Sequence, residues 1–549
     1  MSKGRLHLEI QRHRQNCYGL LRTTYWDKKD KKVKHSSHGR LTGLNHDTLK
    51  LIQAALKGDV RLTTDADTPH AHNSKEYGAS FAIMQLAKEL ELDKTIYSKP
   101  QQQWVKDCLA MVVGRLVYAG SKLSLSNRYR DTALWELCGI ESEVDVEKHC
   151  YASMDRLLER QKAIQKKLAE KHFDGNALVL YDITSSYFEG EYDESHIVKF
   201  GYNRDRKRGR EQMVIGLICT SKGCPIGIEV FPGNTKDETT VVDKITEVQK
   251  LYKISEVIFV GDRGMLTRAN LEKVKNVNGL NTISALTHPQ MKELLYRNVI
   301  QLDLFDEKNI VEIIDPDNPK QRYCLCQNPE SAKRETKTRN ALLEKTREGL
   351  EKIATSKRKS TVEKISARVG KLLSKTKMGK YITWKVSRKK LHWSLNEDLV
   401  DIEELLDGCY IISSDVPAEK MESYEIVASY KKLTLVEKAF RNLKTVQLEV
   451  RPVYHKTDDR IRCHVFICML AYYLQWHMTQ KLQHLFSKDG THKNRFWTFE
   501  NVIERLKSIR REEVHVAGTS CKIITDPDSD QLKILNLLNV KLHSHKREK

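Results

Sequence analysis

The chain contains 549 residues, of which 40% are hydrophobic and 30% are charged, a balance that allows several hydrophobic cores and excludes extensive intrinsic disorder. Lys and Arg outnumber Asp and Glu by 94 to 73, and the formal net charge of +21 favours a polyanionic partner such as nucleic acid. The longest apolar run, Cys463 to Leu474, contains His464 and is shorter than the roughly 20 residues that a membrane-spanning helix needs. The first residues also lack the apolar stretch of a secretory signal, so we expect a cytoplasmic protein without membrane contact.

Twelve cysteines are scattered along the chain without any Cys-x-x-Cys pair. Cys324 and Cys326 are too close together for a zinc knuckle, and Cys463 and Cys468 have no second pair at zinc-finger spacing. The sequence therefore predicts buried, reduced thiols.

Residues 1–79 are polar and predict a few strands or a loose arm, that is, an N-terminal arm or small domain. From 80 to 175 the pattern becomes helical, because apolar residues such as Leu109, Val112 and Leu116 recur at spacings of three to four. In a basic protein that acts on DNA, this helical domain is the candidate for DNA binding.

At Ala177 the period changes to short apolar runs. Strands are expected at 177–182, 213–219, 226–231, 257–260 and 282–286, and helices at 239–252 and 267–277. A strand at 409–414 and helices at 424–444 and 458–479 resume the pattern. Three strands in a meander, followed by alternating helix and strand, predict an α/β fold with a ribonuclease-H-like mixed sheet that comprises 176–289 and 401–480.

Residues 290–400 interrupt this core and are expected to form a basic insertion subdomain. Between positions 331 and 380 there are 16 Lys and Arg against five Glu. Such a run is either a solvated charged helix or a surface that contacts DNA. Residues 481–549 are expected to form a C-terminal helical region, with helices at 502–509 and 531–538.

Two carboxylates follow apolar strands of the predicted sheet. Asp182 ends the run that begins at Ala177, and Asp262 comes just after the strand at 257–260. Either residue alone could be a turn residue or a strand-end cap. Two carboxylates at the ends of adjacent strands are also suited to Mg²⁺ or Mn²⁺, which prefer hard oxygen ligands.

A third carboxylate, Glu437, lies on the helix predicted at 424–444. At about 100° per residue, Tyr430, Glu437 and Lys444 project within about 20° of one another, and Arg441 lies about 40° to one side. The other flank is apolar and would pack on the sheet. The pattern fits an ordinary amphipathic helix as well as a face that binds metal and phosphate.

A cluster of basic residues lies between the first two core strands, where a loop could grip DNA phosphates. The cluster consists of Arg204, Arg206, Lys207, Arg208 and Arg210. The alternative is a solvated hairpin tip.

Taken together, these residues resemble the DDE transposases of bacterial insertion sequences. The resemblance rests on Asp182 after Leu-Val-Leu-Tyr, on the segment Gly-Asp262-Arg-Gly, and on the spacing of Tyr430, Glu437 and Lys444. That spacing is typical of the group named for its Tyr-x2-Arg-x3-Glu-x6-Lys motif. The order of the motifs along the chain makes the combination more specific than any of its parts.

Further positions resemble the same group. They are the segment Pro232-Gly-Asn-Thr235 and the pair Arg460 and His464. One position departs from the motif, because Leu433 stands where the group has Arg. Arg441, on the same polar face, is the candidate replacement for that contact to DNA phosphates.

The resemblance implies a ribonuclease-H-like DNA transposase that binds the inverted-repeat ends of its element, cleaves them and joins them to target DNA. Asp182, Asp262 and Glu437 would hold two Mg²⁺ (or Mn²⁺) ions for phosphoryl transfer. Tyr430 and Lys444 would position DNA phosphates. The family also implies a homodimer in the synaptic complex and a DNA-associated location in a bacterial or archaeal cell.

Two other functions stay open at the level of sequence. A ribonuclease-H-like nuclease would hydrolyse DNA without joining strands, and a domesticated relative would bind DNA without chemistry, although it would have no need for three acids. The family also implies a hairpin intermediate with a flipped base. Trp384 and Trp393 would either stack on such a base or pack in a core.

Overall fold

The structure, a computed structural model, describes residues 6–13, 16–27, 30–57, 70–173, 176–202, 209–235, 256–263, 277–300, 310–356, 361–446, 448, 450–486, 497–516 and 519–542. The chain divides into two compact units. The smaller unit takes its residues from 1–82, 128–137 and 497–549, and the larger unit from 83–127 and 138–496.

The strands follow in chain order. They are β1 (Leu6–His13), β2 (Asn16–Asp27), β3 (Lys32–Leu41), β4 (His70–Glu76), β5 (Asn176–Tyr187), β6 (Gln212–Thr220), β7 (Pro225–Pro232), β8 (Glu256–Val260), β9 (Leu280–Ala285), β10 (Val311–Asp315), β11 (Asn318–Gln327), β12 (Ile382–Ser387), β13 (Lys390–Leu395), β14 (Cys409–Ser414), β15 (Arg510–Val516) and β16 (Thr519–Ile524).

The α-helices of the described residues are numbered in the same way. They are α1 (His46–Lys57), α2 (Gly78–Glu89), α3 (Leu92–Ile96), α4 (Gln103–Val117), α5 (Lys122–Asn127), α6 (Leu134–Leu137), α7 (Ala152–Glu159), α8 (Gln161–His172), α9 (His288–Tyr296), α10 (Pro329–Ala354), α11 (Val362–Thr376), α12 (Glu397–Leu405), α13 (Ser423–Lys431), α14 (Leu433–Arg441), α15 (Asp458–Lys481), α16 (Gln483–Phe486), α17 (Phe499–Lys507) and α18 (Ser529–Leu537).

An eight-stranded mixed sheet organises the larger unit, in the order β10-β11-β14-β9-β8-β5-β6-β7. β5, β6 and β7 form an antiparallel meander, and β8 and β9 then continue parallel to β5. All nine residues of β6 are buried, as expected for a central strand that is covered on both faces. The predicted α/β fold with a ribonuclease-H-like mixed sheet is confirmed.

Three further strands extend the sheet beyond β9. β14 lies at the predicted positions and pairs antiparallel with β9, β11 pairs with β14, and β10 pairs with β11. β10 and β11 come from the predicted insertion, and Cys324, Leu325 and Cys326 of β11 are all buried. The part of the insertion that stands apart from the sheet therefore begins after β11.

That part consists mainly of α10, α11 and the hairpin formed by β12 and β13. Leu350, Val369 and Leu391 belong to the hydrophobic cluster that these elements enclose. Trp384 and Trp393 face each other across the hairpin and pack against the same cluster. Their positions support core packing over stacking on a DNA base.

The apolar helix α15 joins several helices to the sheet. It packs on β7, and α4 and α7 pack on α15. α8 contacts β7 directly. The predicted helical character of 80–175 agrees with these elements, and α14 packs separately on β5 and β6.

The helix predicted at 424–444 is interrupted twice. α13 ends at Lys431, α14 begins at Leu433, and a π-helical turn covers Asn442–Val446. A π-helical turn holds more residues than an α-helical turn. The projection that aligned Lys444 with Tyr430 and Glu437 therefore does not hold through this segment.

The smaller unit contains two three-stranded antiparallel sheets. β1, β2 and β3 form one, with α1 packed on β1 and β2, and β16, β15 and β4 form the other. In the C-terminal region, α17 and α18 lie near the predicted helices. β15 and β16 lie between them, where alternating residues such as Val514 and Val516 suit a strand.

Two predicted helices of the core fall in segments that the structure does not describe or describes at one residue only. The helix predicted at 239–252 lies outside the described residues. The helix predicted at 267–277 also lies outside them, apart from Val277.

Candidate active site

The register of two parallel strands brings Asp182 and Asp262 to neighbouring positions. Leu180 of β5 pairs with Val260, the last residue of β8, so both aspartates lie two positions beyond this pair. Positions two apart on a strand share one face, and adjacent strands lie about 4.8 Å apart. β5 continues to Tyr187, so the prediction that Asp182 ends its strand is wrong. Asp182 lies beside the point at which the neighbouring strand β8 ends.

Asp262 is held by hydrogen bonds from three directions. Its Oδ1 accepts from the backbone N–H of Arg263 at 2.7 Å and from the hydroxyl of Tyr430 at 3.3 Å. Its backbone oxygen accepts from the Ser284 hydroxyl at 3.3 Å. Burial raises the pKa of the Tyr430 phenol, and the nearby Asp262 carboxylate raises it further. The phenol therefore stays protonated and continues to donate to Asp262.

Glu437 lies on α14 and lines the same cavity as the two aspartates. Val436, Ala439 and Phe440 are buried and pack this helix against the sheet. The opposite face leaves Glu437 exposed. The amphipathic division predicted for this helix is confirmed, and it turns the carboxylate away from the core.

One cavity of about 530 Å³ is lined by all three acids. Tyr430 lines it as well, together with parts of the loop before β14 and of α10. The charged and polar groups include Asp182, Asp262, Arg263, His288, Glu335, Tyr430, Lys431 and Glu437. We refer to it below as the acidic cavity.

The insertion supplies one wall of the acidic cavity. The backbone N–H of Gly408 donates to the Glu335 carboxylate at 2.9 Å, and the N–H of Asn328 donates to the Gly408 carbonyl at 2.8 Å. Gly408 has a φ of +69°, and a Cβ there would collide with the Asn328 carbonyl oxygen. Glycine at this position therefore lets the loop before β14 approach the start of α10.

Three carboxylates around one cavity form a donor set suited to Mg²⁺ or Mn²⁺. Their oxygens do not all lie within 4.8 Å of one another. Two ligands of one Mg²⁺, at about 2.1 Å each, lie at most about 4.2 Å apart. The three carboxylates therefore do not all lie as close together as the ligands of one ion do.

The predicted phosphate-binding residues are only partly brought to the acidic cavity. Tyr430 lines it, and so does Leu433, the position at which the motif has Arg. Arg441 ends α14 and Lys444 lies in the π-helical turn, and neither is among the residues that line the cavity.

The basic cluster between β5 and β6 is described at one position. Arg210 is exposed two residues before β6 begins. The other four members, Arg204, Arg206, Lys207 and Arg208, lie outside the described residues.

The remaining motif positions have structural contacts away from the acidic cavity. Arg460 lies 3.7 Å from Asp155 and stacks over the Tyr151 ring. His464 is buried, and its Nε2 lies 3.1 Å from the Val450 carbonyl oxygen. At Gly233, a Cβ would collide with the carbonyl oxygen of Gln212, which explains a glycine there.

Several residues of the acidic cavity carry no signal of their own in the sequence. Arg263 and Lys431 each follow a predicted site residue, so adjacency alone could have suggested them. Glu335 and His288 belong to regions that are distant in the chain and reach the cavity through the tertiary fold. A single sequence contains no pattern that would have identified them.

The sheet is thus ribonuclease-H-like, and carboxylates from three separate segments of the chain line one cavity. The family model described as the transposase DDE domain matches residues 176–474. The match covers more than half of the chain, so the chain belongs to the DDE transposase family. Membership in the Tyr-Arg-Glu-Lys group stays a prediction. A comparison with curated proteins finds no match.

Within the described residues, no single helix has both the length and the apolar composition to cross a membrane. The bent pair Gln103–Val117 and Lys122–Arg130 meets these criteria when its two parts are taken together.

Proposed function

We propose that this chain is the DNA transposase of an insertion sequence, which cleaves DNA at the ends of its element and joins the cleaved ends to target DNA. The observation that supports this function most directly is that Asp182, Asp262 and Glu437 line one cavity in a member of the DDE transposase family. These three residues are the proposed catalytic and metal-binding residues.

Two Mg²⁺ or Mn²⁺ ions, held by these three carboxylates, would supply activation of the attacking oxygen and stabilisation of the leaving oxygen. The residues of the chain would do the positioning that phosphoryl transfer requires. The Tyr430 hydroxyl holds Asp262 in one orientation. Arg263 and Lys431 place cations beside the acids, where they would balance the charge of an incoming DNA phosphate.

Other basic residues are proposed to hold the DNA outside the acidic cavity. Arg441 and Lys444 lie just beyond Glu437 in the chain. The basic cluster of Arg204, Arg206, Lys207, Arg208 and Arg210 and the charged insertion would contact the backbone without reading sequence. We assign recognition of the element ends to the helical domain at 80–175, and we propose a homodimer in which each subunit cuts one end.

The test is cleavage of labelled DNA that carries the element ends, with Mg²⁺, by the wild-type chain and by Asp182→Asn, Asp262→Asn and Glu437→Gln. We expect each substitution to abolish cleavage while DNA binding in a gel-shift assay is retained. The matched control is Asp401→Asn, which changes an exposed carboxylate of α12 away from the acidic cavity. Cleavage that survives in any of the three variants would reject the triad.

A strand-transfer assay separates transposition from simple hydrolysis. Pre-cleaved ends with a free 3′-OH are incubated with plasmid DNA, and joined products are counted. Joining supports a transposase, whereas cutting without joining supports a ribonuclease-H-like nuclease. DNA binding without any Mg²⁺-dependent cutting would indicate a non-catalytic relative.

A further inference from the structure

A second group of metal-ligating side chains lies away from the acidic cavity. His172 ends α8, Cys224 lies in the turn between β6 and β7, and His477 lies near the end of α15. One ligand atom from each of these side chains lies within 4.8 Å of the other two. Among the residues that the structure describes, no other set of three His, Cys, Asp or Glu side chains meets this criterion.

The turn that carries Cys224 is fixed by its own hydrogen bonds. The backbone N–H of Thr220 donates to the Cys224 carbonyl at 2.9 Å, and the Cys224 N–H donates to the Thr220 hydroxyl at 3.3 Å. Gly223, with a φ of +81°, completes the turn. The backbone position from which the Cys224 thiol projects is therefore fixed.

Two polar atoms of this group lack good partners within the protein. Nε2 of His477 is buried and has no hydrogen-bond partner. The Cys224 thiol is buried, and it lies 4.0 Å from the carbonyl oxygen of Pro225, the next residue in the chain. Leaving a buried imidazole nitrogen unpaired is costly, and a bound cation would satisfy it.

Aromatic packing accounts for only part of the arrangement. Nε2 of His172 lies 3.0 Å from the Tyr473 hydroxyl, and the Tyr473 and His477 ring centroids are 4.6 Å apart. These contacts explain where the rings lie. They leave the His477 Nε2 without a hydrogen-bond partner and the Cys224 thiol with only its 4.0 Å contact to the Pro225 carbonyl oxygen.

We propose that His172, Cys224 and His477 bind one Zn²⁺ ion, which ties α8 and α15 to the turn between β6 and β7. Two imidazole nitrogens and one thiolate form a donor set that binds Zn²⁺ in preference to Mg²⁺. The fourth position of a tetrahedral ion is left for a solvent oxygen, which can enter because both histidines are partly exposed. The site uses none of the residues proposed for catalysis, so it does not depend on the proposed function.

The protonation states of the histidines agree with this assignment. Burial lowers the pKa of His172, and it lowers that of His477 to about 4. Both imidazoles are thus neutral at neutral pH, the form that coordinates a metal. Burial raises the pKa of the Cys224 thiol and keeps it protonated in the metal-free chain. Zn²⁺ would displace that proton to solvent as the zinc–sulfur bond forms.

Binding is tested with the full-length chain after removal of metals by a chelator and dialysis. Co²⁺, the spectroscopic substitute for Zn²⁺, is then added. We expect one Co²⁺ per chain with a near-ultraviolet thiolate-to-cobalt charge-transfer band that Zn²⁺ displaces. Cys224→Ser should abolish the band, and His477→Gln should weaken binding by roughly tenfold or more. The matched controls Cys17→Ser and His484→Gln should keep it.

A second measurement covers the case in which the Cys224 variant does not fold. Zn²⁺ should raise the melting temperature of the wild-type chain by several degrees. The triple variant Asp182→Asn, Asp262→Asn, Glu437→Gln should retain both this shift and the Co²⁺ band, because its substitutions lie in the acidic cavity. Absence of the band and the shift in the wild-type chain, persistence of the band in Cys224→Ser, or its loss in the triple variant would overturn the proposal.

Discussion

Ionisable side chains cluster in two places in the larger unit, and the two clusters differ in their exposure to solvent. In the acidic cavity, Asp262 and Glu437 are exposed, so their charges stay hydrated and accessible to cations. Around α15, the basic side chains Arg115, Lys122 and His455 are each less than 10% exposed. Burial lowers the pKa of Lys122 to about 8 and that of His455 to about 3.

The difference shows that residue type alone does not separate reactive groups from structural ones. Arg115 donates to the carbonyl oxygens of Leu448 and Gly120, both at 2.6 Å, and thereby fixes two loops beside α4. His464, which belongs to a motif of the resembling group, is part of the same buried region. Exposure to solvent, and not charge alone, distinguishes the acids proposed for catalysis from these buried basic groups.

The strongest test of this comparison is neutralisation of the acids. Asp182→Asn or Glu437→Gln should reduce end cleavage on the order of 10³-fold or more, since loss of a proposed metal ligand would remove several kcal/mol of transition-state stabilisation. The melting temperature in the absence of Mg²⁺ should be unchanged or higher, because neighbouring like charges are removed. Parallel cleavage assays and thermal melts check both effects, and a variant that loses activity by unfolding would contradict the comparison.

The buried basic region should respond in the opposite manner. Arg115→Met removes the guanidinium that donates to the buried Leu448 carbonyl and to the partly buried Gly120 carbonyl. It should destabilise the larger unit by about 3 kcal/mol. Thermal unfolding, with the exposed Arg156→Met of α7 as the control, measures this loss. If Arg115→Met melted like the wild-type chain, the buried region would not have the structural role assigned to it.

The pH dependence of stability distinguishes the two places further. Burial and the nearby charges of Lys122, Arg460 and Arg115 lower the pKa of His455. In the unfolded chain this histidine binds a proton near pH 6.5, whereas in the folded chain it binds one only near pH 3. Stability should therefore fall as the pH drops from about 6.5 towards 3. Melting temperatures between pH 7.5 and 4.5 should show a shallower decline for His455→Gln, and an unchanged slope would refute this account.

The wall of the acidic cavity offers a smaller, steric test. Gly408→Ala forces a Cβ into a left-handed backbone and against Asn328, which should cost about 2 kcal/mol. Gly370→Ala on α11, where a Cβ meets nothing within 4 Å, should instead stabilise by up to about 1 kcal/mol. Urea unfolding of the two variants gives the comparison, and equal effects would show that the loop before β14 does not need its close approach to α10.

The smallest expected effect is that of the hydrogen bond to Asp262. Tyr430→Phe removes one donor at 3.3 Å and should slow cleavage by about tenfold, as expected for a single bond to a charged group. The raised pKa of the Tyr430 phenol keeps it protonated in the wild-type chain. The ratio of wild-type to variant cleavage rates should therefore stay constant between pH 7 and 9. A ratio that changes in this range would assign Tyr430 a role in proton transfer.

Local patterns were sufficient for much of the core. The apolar runs at 213–219 and 226–231 lie within β6 and β7, and Cys409–Ser414 is β14 itself. The apolar flank of α14 is buried as its periodicity indicates. These features are local, because burial of a strand or of one helix face is written in consecutive residues.

Other predictions needed information that neighbouring residues do not contain. The break at Lys432 and the π-helical turn after Arg441 moved Lys444 out of its predicted alignment. Asp182 lies within β5 and not at its end, because strand length depends on the partner β6. Cys224 was expected to be only a buried thiol, and its proximity to two histidines is visible only in three dimensions.

The amino-acid sequence by itself determined the α/β character of the core, the succession of its core strands along the chain and the family resemblance, since each depends on short motifs and periodicity. The catalytic role of the three acids stays a prediction. Tertiary structure decided that the insertion adds β10 and β11 to the sheet and that Glu335 closes the acidic cavity. It also decided that Arg460 and His464, both on α15, make their contacts away from that cavity. The physical reason is that strand pairing and burial join segments hundreds of residues apart, and no local pattern records which segments will meet.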